Sequence, residues 1–311
     1  MVRLLFLLVL VFNFSVQKGV SQCCTANPIA GSVNIGVLTK NTLRTLVFHR
    51  YNYTDVYYEG SSPSDFSFVQ KANYNYSGGS FSFGITDRFT LQNEIGFYWN
   101  RSETFNTQPT ITINGSGLSN GITSIKYAFT KKVGFEFTGE AGFKYPFKRR
   151  PLSKGGVELS QTVQPSTGAF GGIIQLFFHK AFSEKSIRLF LIHRTEVNGE
   201  NFVRYRSGNN FSTSFVFSKS LNAKWTMLLQ ARNEIRGRDS RNGKKYTNSG
   251  SILFFASPQI NYSITQKWNI SLAGDVPFYQ YYYGTQQANK FAFIVTMIKD
   301  FNLRKNNTVV N

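Results

Sequence analysis

Few residues of this chain have the types and spacing that catalysis requires. A serine hydrolase needs a histidine beside its serine and a third group that orients the ring, and only His49, His179 and His193 are available. The sequence contains no Gly-x-Ser-x-Gly turn, phosphate loop, dinucleotide fingerprint or paired metal-ligand motif. We predict a protein that is not an enzyme and uses no cofactor or metal. A lipid hydrolase built on His179 or His193 is kept as a further alternative, behind the two non-enzymatic functions given below.

The remaining chemistry lies in charged side chains that alternate with apolar ones. Between Val133 and Phe147 the odd positions are apolar or small, whereas Glu136, Glu140 and Lys144 occupy even positions. This period of two indicates a strand with one polar and one apolar face. The segment is longer than the roughly 5–6 residues of a typical soluble strand and suits a tilted membrane strand. The charged residues that we expect to face a barrel interior are Lys126, Lys144, Arg188, Arg194, Arg232, Arg236, Glu94, Glu136, Glu140 and Glu234.

A short turn that recurs along the chain must connect these strands. Each copy is an apolar residue, a hydroxyl residue, one or two polar residues and a new apolar run. Long polar segments separate the copies, and alternating short and long connections indicate an up-and-down β-barrel whose two ends face different environments. The copies are Ile85–Phe89, Phe129–Val133, Phe182–Ile187, Phe217–Leu221 and Ile264–Trp268.

The predicted fold is all-β: a transmembrane antiparallel barrel of about twelve strands, with ten or fourteen as alternatives. A secreted sandwich or propeller is the competing architecture, and it predicts shorter strands without the asymmetry of connections. We expect a bulge or an extra hairpin at Gly78-Gly79. The predicted strands are 41–57, 66–85, 89–101, 118–129, 133–147, 166–181, 186–198, 208–218, 223–236, 250–264, 267–278 and 290–301. The predicted long loops are 58–65, 102–117, 148–165, 199–207, 237–249 and 279–289.

The first residues indicate export. Residues 1–21 combine a positive start, an apolar run and small residues, as a signal peptide does. Residues 22–40 are expected to be a periplasmic segment that carries Cys23 and Cys24, either as an unstructured pair or a disulfide, with soft-metal binding or an intermolecular link as alternatives. A lipoprotein acylated at Cys23 is a further alternative. The barrel then spans 41–303, and 304–311 form a polar tail beyond Phe301, a candidate terminal insertion signal.

The composition favours lipid over nucleic acid as a partner. Aromatic residues make up 16% of the chain and charged residues only 16%, which suits a lipid-facing surface. The net charge is +19, and loss of Arg3 and Lys18 with the signal leaves +17. Export argues against nucleic acid as a partner, whereas lipopolysaccharide phosphates or an anionic solute could be attracted. The basic residues expected in surface loops are Arg149, Arg150, Lys154, Arg241, Lys244 and Lys245.

Three short pieces carry a family resemblance. The first piece is Asp275–Gln280 followed by Gly284–Gln286, and the second is the turn Gly84–Leu91. Both resemble elements of bacterial outer-membrane transporter barrels similar to the phenol-degradation (meta-pathway) outer-membrane family. The start Gln22–Cys24 resembles members from Bacteroidota. This resemblance implies an outer-membrane barrel and passage of small molecules, and it supplies no catalytic residues.

We therefore expect an outer-membrane channel that passes a small solute, with a preference for anions, by diffusion through a polar lumen. Two arrangements of the predicted interior charges remain open. They could line a water-filled basic track, or they could pair as arginine and glutamate and fill the barrel. The second arrangement would make the protein a closed structural or lipid-binding barrel.

Overall fold

The computed structural model describes residues 36–303, which form a barrel of long antiparallel strands. The predicted signal peptide, the Cys23-Cys24 pair and the polar tail 304–311 lie outside the described residues. None of the helices in the described part is long and apolar enough to cross a bilayer. The barrel strands are β1 Thr42–Thr54, β2 Val69–Gly84, β3 Phe89–Phe105, β4 Asn120–Lys132, β5 Phe135–Pro146, β6 Gly171–Phe182, β7 Ile187–Asn198, β8 Asn210–Ser220, β9 Trp225–Arg236, β10 Ser251–Thr265, β11 Trp268–Gln287 and β12 Phe291–Asn302.

The sheet closes on itself. Every strand pairs with its neighbours along the chain, and β1 also pairs with β12, with Thr42 opposite Asn302 and Tyr53 opposite Phe291. Closure pairs the backbone groups of both edge strands, which a bilayer core requires because it offers them no water. The predicted all-β barrel of twelve strands is confirmed.

The connections follow the predicted asymmetry, with one clear exception. Three of the five short turns lie where the sequence places them, and the turns after β4 and β8 lie slightly later, at 133–134 and 221–224. The chain enters and leaves the barrel at the same end. The predicted loop 279–289 is wrong, because β11 continues to Gln287 and β12 begins at Phe291. The upper part of β11 pairs with Tyr57–Gly60 above the rim, so its aromatic residues extend the sheet instead of forming a loop.

Two further predicted loops contain hairpins that extend the barrel sheet, and the other three contain only two-residue strands. β3 reaches Phe105 and pairs with Thr112–Leu118, so most of the predicted loop 102–117 is a hairpin. The predicted loop 58–65 contains the hairpin formed by Tyr57–Gly60 and Ser62–Ser64. These hairpins lengthen the barrel wall at its long-loop end.

The expected irregularity at Gly78-Gly79 is also wrong. The shifts of register in β2 lie between Val69 and Lys71 and near Asn75, whereas Gly78 pairs regularly with Phe48 and with Gly96. A Cβ atom on Gly78 would lie 2.5 Å from Cζ of Phe48. This glycine therefore makes room for an aromatic ring inside the barrel.

The two faces of the wall differ in polarity. Outward positions carry large apolar side chains that the protein leaves uncovered, such as Ile174, Leu229 and Phe293, which are 63%, 55% and 55% exposed. Inward positions carry most of the buried polar and charged residues. An apolar outer band around a polar interior is the pattern of a barrel that sits in lipid.

Candidate functional site

The interior charges predicted from the alternation all occupy inward positions of their strands. In β5, for example, Thr138, Glu140 and Lys144 are buried, whereas Ala141 and Phe143 between them are exposed outward. Arg236 lies at the upper end of β9, where its side chain is 45% exposed. The alternation thus locates these residues, and the structure adds their partners.

Asp275 is the centre of the first charge cluster. Its carboxylate accepts hydrogen bonds from Arg50 at 3.0 Å, from Arg232 at 2.9 Å and from the hydroxyl of Ser257. Arg232 also lies 3.0 Å from Glu234. The Asp275 side chain is inaccessible to solvent, and a buried carboxylate requires such compensation. Arg50, Ser257 and Asp275 were not among the interior residues predicted from the sequence.

A second cluster joins β3, β5 and β7. The Arg194 guanidinium donates to Glu196 at 3.0 Å and lies 3.6 Å from Glu94. Lys144 donates to the same Glu196 at 3.2 Å and to Asn198 at 2.8 Å. These pairs cross-link three strands through the lumen, and each acidic group has a basic neighbour.

A third pair lies closer to the short turns. Lys126 is 3.7 Å from Glu140, which also accepts hydrogen bonds from Ser124 and Gln175. Arg188 sits lower on β7, close to the turn that precedes this strand. The predicted alternative of paired charges within the barrel therefore describes the observed contacts.

The short-turn end of the barrel is covered by the residues that precede β1. Val37 and Leu38 are each 6% exposed, although they lie outside any strand. The Val37 amide donates to Glu136 at 2.7 Å, and the Leu38 amide donates to Thr90 at 2.8 Å. Lys131 donates to the Val37 carbonyl at 3.2 Å. This segment was predicted to be periplasmic, but its insertion into the barrel mouth was not predicted from the sequence.

Side chains fill the barrel between this segment and the charge clusters. Each strand contributes at least one inward side chain that is 4% exposed or less: Leu46, Ser80, Gln92, Lys126, Glu140, Gln175, Phe190, Val216, Gln230, Ser257, Asp275 and Ile294. A continuous water-filled lumen would expose inward groups at every height. The described residues therefore form a floor and not an open tube.

Above this floor the barrel encloses a cavity of about 900 Å³ that opens at the long-loop end. Arg50, Glu94 and Arg232 belong to its lower boundary. Six tyrosines line it, namely Tyr57, Tyr74, Tyr76, Tyr98, Tyr205 and Tyr282. Its five basic residues (Arg50, Arg101, Lys144, Arg232, Arg236) equal its five acidic ones (Glu94, Glu103, Glu196, Glu234, Asp239) in number. The lining is suited to a solute that offers both hydrogen-bonding groups and a flat apolar face.

The histidines do not assemble a hydrolase site within residues 36–303. His179 faces inward and stacks on Phe190 at 4.9 Å, and its Nε2 is buried without a hydrogen-bond partner. His193 faces outward and is hydrogen-bonded to Thr213 at 3.0 Å. His49 lies 3.0 Å from Ser77 on the outer wall. No acidic group in these residues orients the second ring nitrogen of His49, so this pair lacks the third member that activation requires.

The predicted basic loop residues are exposed but differ in their contacts. Arg149 lies over the ring of Phe170 at 5.5 Å, and Arg150 lies over Phe202 at 5.1 Å. Arg241 is 3.4 Å from Glu158. Lys154, Lys244 and Lys245 belong to exposed two-residue strands of the loops.

The fold can be compared with solved barrels. The COG4313 outer membrane channel from Pseudomonas putida F1 superposes with a TM-score of 0.69 at 12% identity, over 86% of this chain and 97% of that chain. The KdgM porin (8% identity, 83% and 99% coverage) and the NanC porin (11% identity, 82% and 98% coverage) superpose with TM-scores of only 0.44 and 0.45. No protein-family model and no curated protein sequence matches the chain. At this identity the Pseudomonas channel shows a shared architecture, and the chain therefore has the twelve-stranded fold of an outer-membrane β-barrel.

Proposed function

We propose that this protein is a channel of the bacterial outer membrane that passes a small solute and carries out no catalysis. The observation that supports this proposal best is the cavity of about 900 Å³, which opens on the barrel axis at the long-loop end. In bacterial barrels the long loops face the outside and the short turns face the periplasm. A solute would then enter the cavity from outside, after export of the chain by its signal peptide.

Passage beyond the cavity would require the floor to rearrange. A solute with a negatively charged group could replace Glu234 as the partner of Arg232. The side chains that close the lumen would then separate. Movement would be diffusive, with selectivity set by charge and by the width of the gap. The solute would next meet the segment of Val37 and Leu38 at the periplasmic mouth.

The proposed preference for anions rests on the net charge of the whole chain and on exposed basic residues at the rim of the cavity. The cavity lining itself is balanced, but the mature chain carries +17 by the predicted cleavage. Exposed basic residues near the mouth, such as Arg236, would raise the local concentration of anions. We therefore expect a modest anion preference that weakens as the salt concentration rises.

The deciding experiment is the single-channel conductance and reversal potential of the refolded mature protein in a planar bilayer under a salt gradient. Discrete steps with a reversal potential shifted toward anions are the expected result. Arg236→Ser should reduce the shift, and Arg88→Ser on a short turn is the matched control of equal charge. Steps that prefer cations would contradict the anionic solute while leaving the channel intact.

A closed structural or lipid-binding barrel is the second candidate, and the buried floor favours it. This candidate predicts a folded protein with no conductance at any voltage. Heat-modifiable mobility in electrophoresis would establish folding in the same sample. Folded but silent protein would contradict the diffusion channel and support the closed barrel.

A further inference from the structure

An open groove of about 930 Å³ lies on the outer wall, where strands β5, β6 and β7 meet the long loops. Phe143, Gly172 and Val197 form one row across these three strands, because Gly172 pairs with Phe143 on one side and with Val197 on the other. All three positions face outward. Phe170 extends the row and stacks on Phe143 with ring centroids 5.5 Å apart. The groove thus has an apolar floor at the ends of these strands that lie nearest the long loops.

Gly172 creates the notch in this floor. A Cβ atom at this position would find only the carbonyl oxygen of Gly142, at 3.8 Å. Neither backbone strain nor a neighbouring side chain therefore explains a glycine here. Two residues further along β6, Ile174 continues the apolar surface toward the middle of the barrel and is 63% exposed. The notch has the form of a track for a hydrocarbon chain that runs down the wall.

The upper rim of the groove is basic. Arg204 and Arg206 line it, and a small sheet of Tyr205–Arg206, Ser240–Arg241 and Lys244–Lys245 holds them in place. The Arg204 carbonyl accepts a hydrogen bond from the Asn242 amide at 2.9 Å, and Arg206 Nε donates to the Asn198 carbonyl at 2.9 Å. Neither arginine forms a salt bridge within residues 36–303, although Glu200 also lines the groove.

We propose that this groove binds a phosphorylated glycolipid of the outer leaflet, of the lipid A type. The phosphate would lie between Arg204 and Arg206, and an acyl chain would occupy the notch at Gly172. Arginine is the side chain best matched to phosphate oxygens, and an apolar track directly below a basic rim matches the division of a lipid into chain and headgroup. The proposal rests on the outer-membrane location proposed above but not on conduction.

Binding can be measured on mature protein refolded from a lipopolysaccharide-free preparation into a neutral detergent. Lipid A is titrated and bound copies are counted by native mass spectrometry, with chemically dephosphorylated lipid A and inorganic phosphate as separate titrants. We expect Arg204→Ser and Arg206→Ser each to weaken lipid A binding by about fivefold. Glu200→Gln should strengthen it, whereas Arg88→Ser at the opposite end should leave it unchanged.

The notch is tested by Gly172→Leu, which fills it from a position with free space. Weaker lipid A binding in a barrel with unaltered heat-modifiable mobility is expected. Equal binding by the arginine variants and the wild type, or equal binding of dephosphorylated lipid A, would overturn the proposal. Binding of inorganic phosphate as tight as that of lipid A would also overturn it and leave a free-anion site. Conductance is measured on the same samples, so a failure of the lipid A proposal can be told apart from a failure of the channel proposal.

Discussion

Arg232 on β9 and Asp275 on β11 meet inside the barrel over the single intervening strand β10, with guanidinium and carboxylate 2.9 Å apart and both side chains almost inaccessible to solvent. Arg50 reaches the same carboxylate from β1, and Glu234 lies 3.0 Å from Arg232 as a second acid. Arg50 and Arg232 also line the cavity. The residues that would meet a solute are therefore also residues on which the stability of the barrel depends.

Asp275→Asn should destabilise the barrel strongly. The amide keeps the shape of the side chain but leaves buried Arg50 without its ion-pair partner and leaves Arg232 with only the partly exposed Glu234. Removing one partner from a buried ion pair typically costs about 3–5 kcal/mol. Equilibrium unfolding in urea, followed by tryptophan fluorescence, measures the loss.

Asp300→Asn is the matched control for that substitution. Asp300 pairs with Arg44 at the end of the barrel, where the two side chains are 27% and 16% exposed. Solvent reaches this pair in part, so its loss should cost less than the loss of the fully buried Asp275 pairs. Equal destabilisation by the two substitutions would contradict a special role for the Asp275 cluster.

Gly78→Ala and Gly172→Ala should have effects of opposite sign. The methyl group added at Gly78 would lie 2.5 Å from the Phe48 ring, and overpacking of this kind costs about 1–3 kcal/mol. At Gly172 the added methyl group meets no side chain, and replacing glycine within a strand gains about 0.5–1 kcal/mol. Urea midpoints compare the two variants directly, and destabilisation by both would contradict the free space at Gly172.

The sequence could predict the faces of the strands but not the partners across the lumen. Alternation with apolar neighbours identified Lys126 and Arg194 as inward residues, since a period of two needs only local information. The pairing of Arg50 with Asp275, which are 225 residues apart, depends on the closure of β1 against β12. Asp275 shares the inward alternation of Ser271 and Ala273 in β11, and this signal could have identified it.

The insertion of Val37 and Leu38 had no sequence signal of comparable strength. Two apolar residues before the first strand are common in a linker, and their burial requires a mouth lined by Thr90 and Glu136 from other strands. The extension of β11 likewise depends on the separate strand Tyr57–Gly60 that it pairs with. Both features arise from long-range contacts that periodicity does not encode.

Ionisation of Tyr205 at alkaline pH should destabilise the loops around the cavity. Burial, followed by its hydrogen bond to Asp239, raises the pKa of Tyr205 above the ordinary value of 10.0. A raised pKa means that the folded protein favours the protonated phenol. The contribution to stability is thus fully present below pH 10.0 and is lost as the pH rises through the folded pKa.

Spectrophotometric titration of phenolate absorbance tests the late ionisation of Tyr205. The wild type should contain several buried tyrosines that ionise later than the exposed ones, and Tyr205→Phe should reduce the amplitude of this late step by one tyrosine. Asp239→Asn should move that one tyrosine to lower pH, because the carboxylate favours the protonated phenol. An unchanged late amplitude in Tyr205→Phe would contradict the late ionisation of Tyr205.

Replacing Val37 and Leu38 by serine should loosen the segment that covers the short-turn end. Each buried apolar side chain of this size contributes about 1.5–3 kcal/mol, so each substitution should raise the unseated population roughly tenfold or more. If solute passage requires this segment to leave the mouth, the open probability in single-channel records should rise by a similar factor in Val37→Ser and in Leu38→Ser. Thr39→Ala, at an exposed neighbouring position, is the control. Unchanged open probability in both serine variants, with the fold intact, would show that the floor of paired charges and not the segment limits passage.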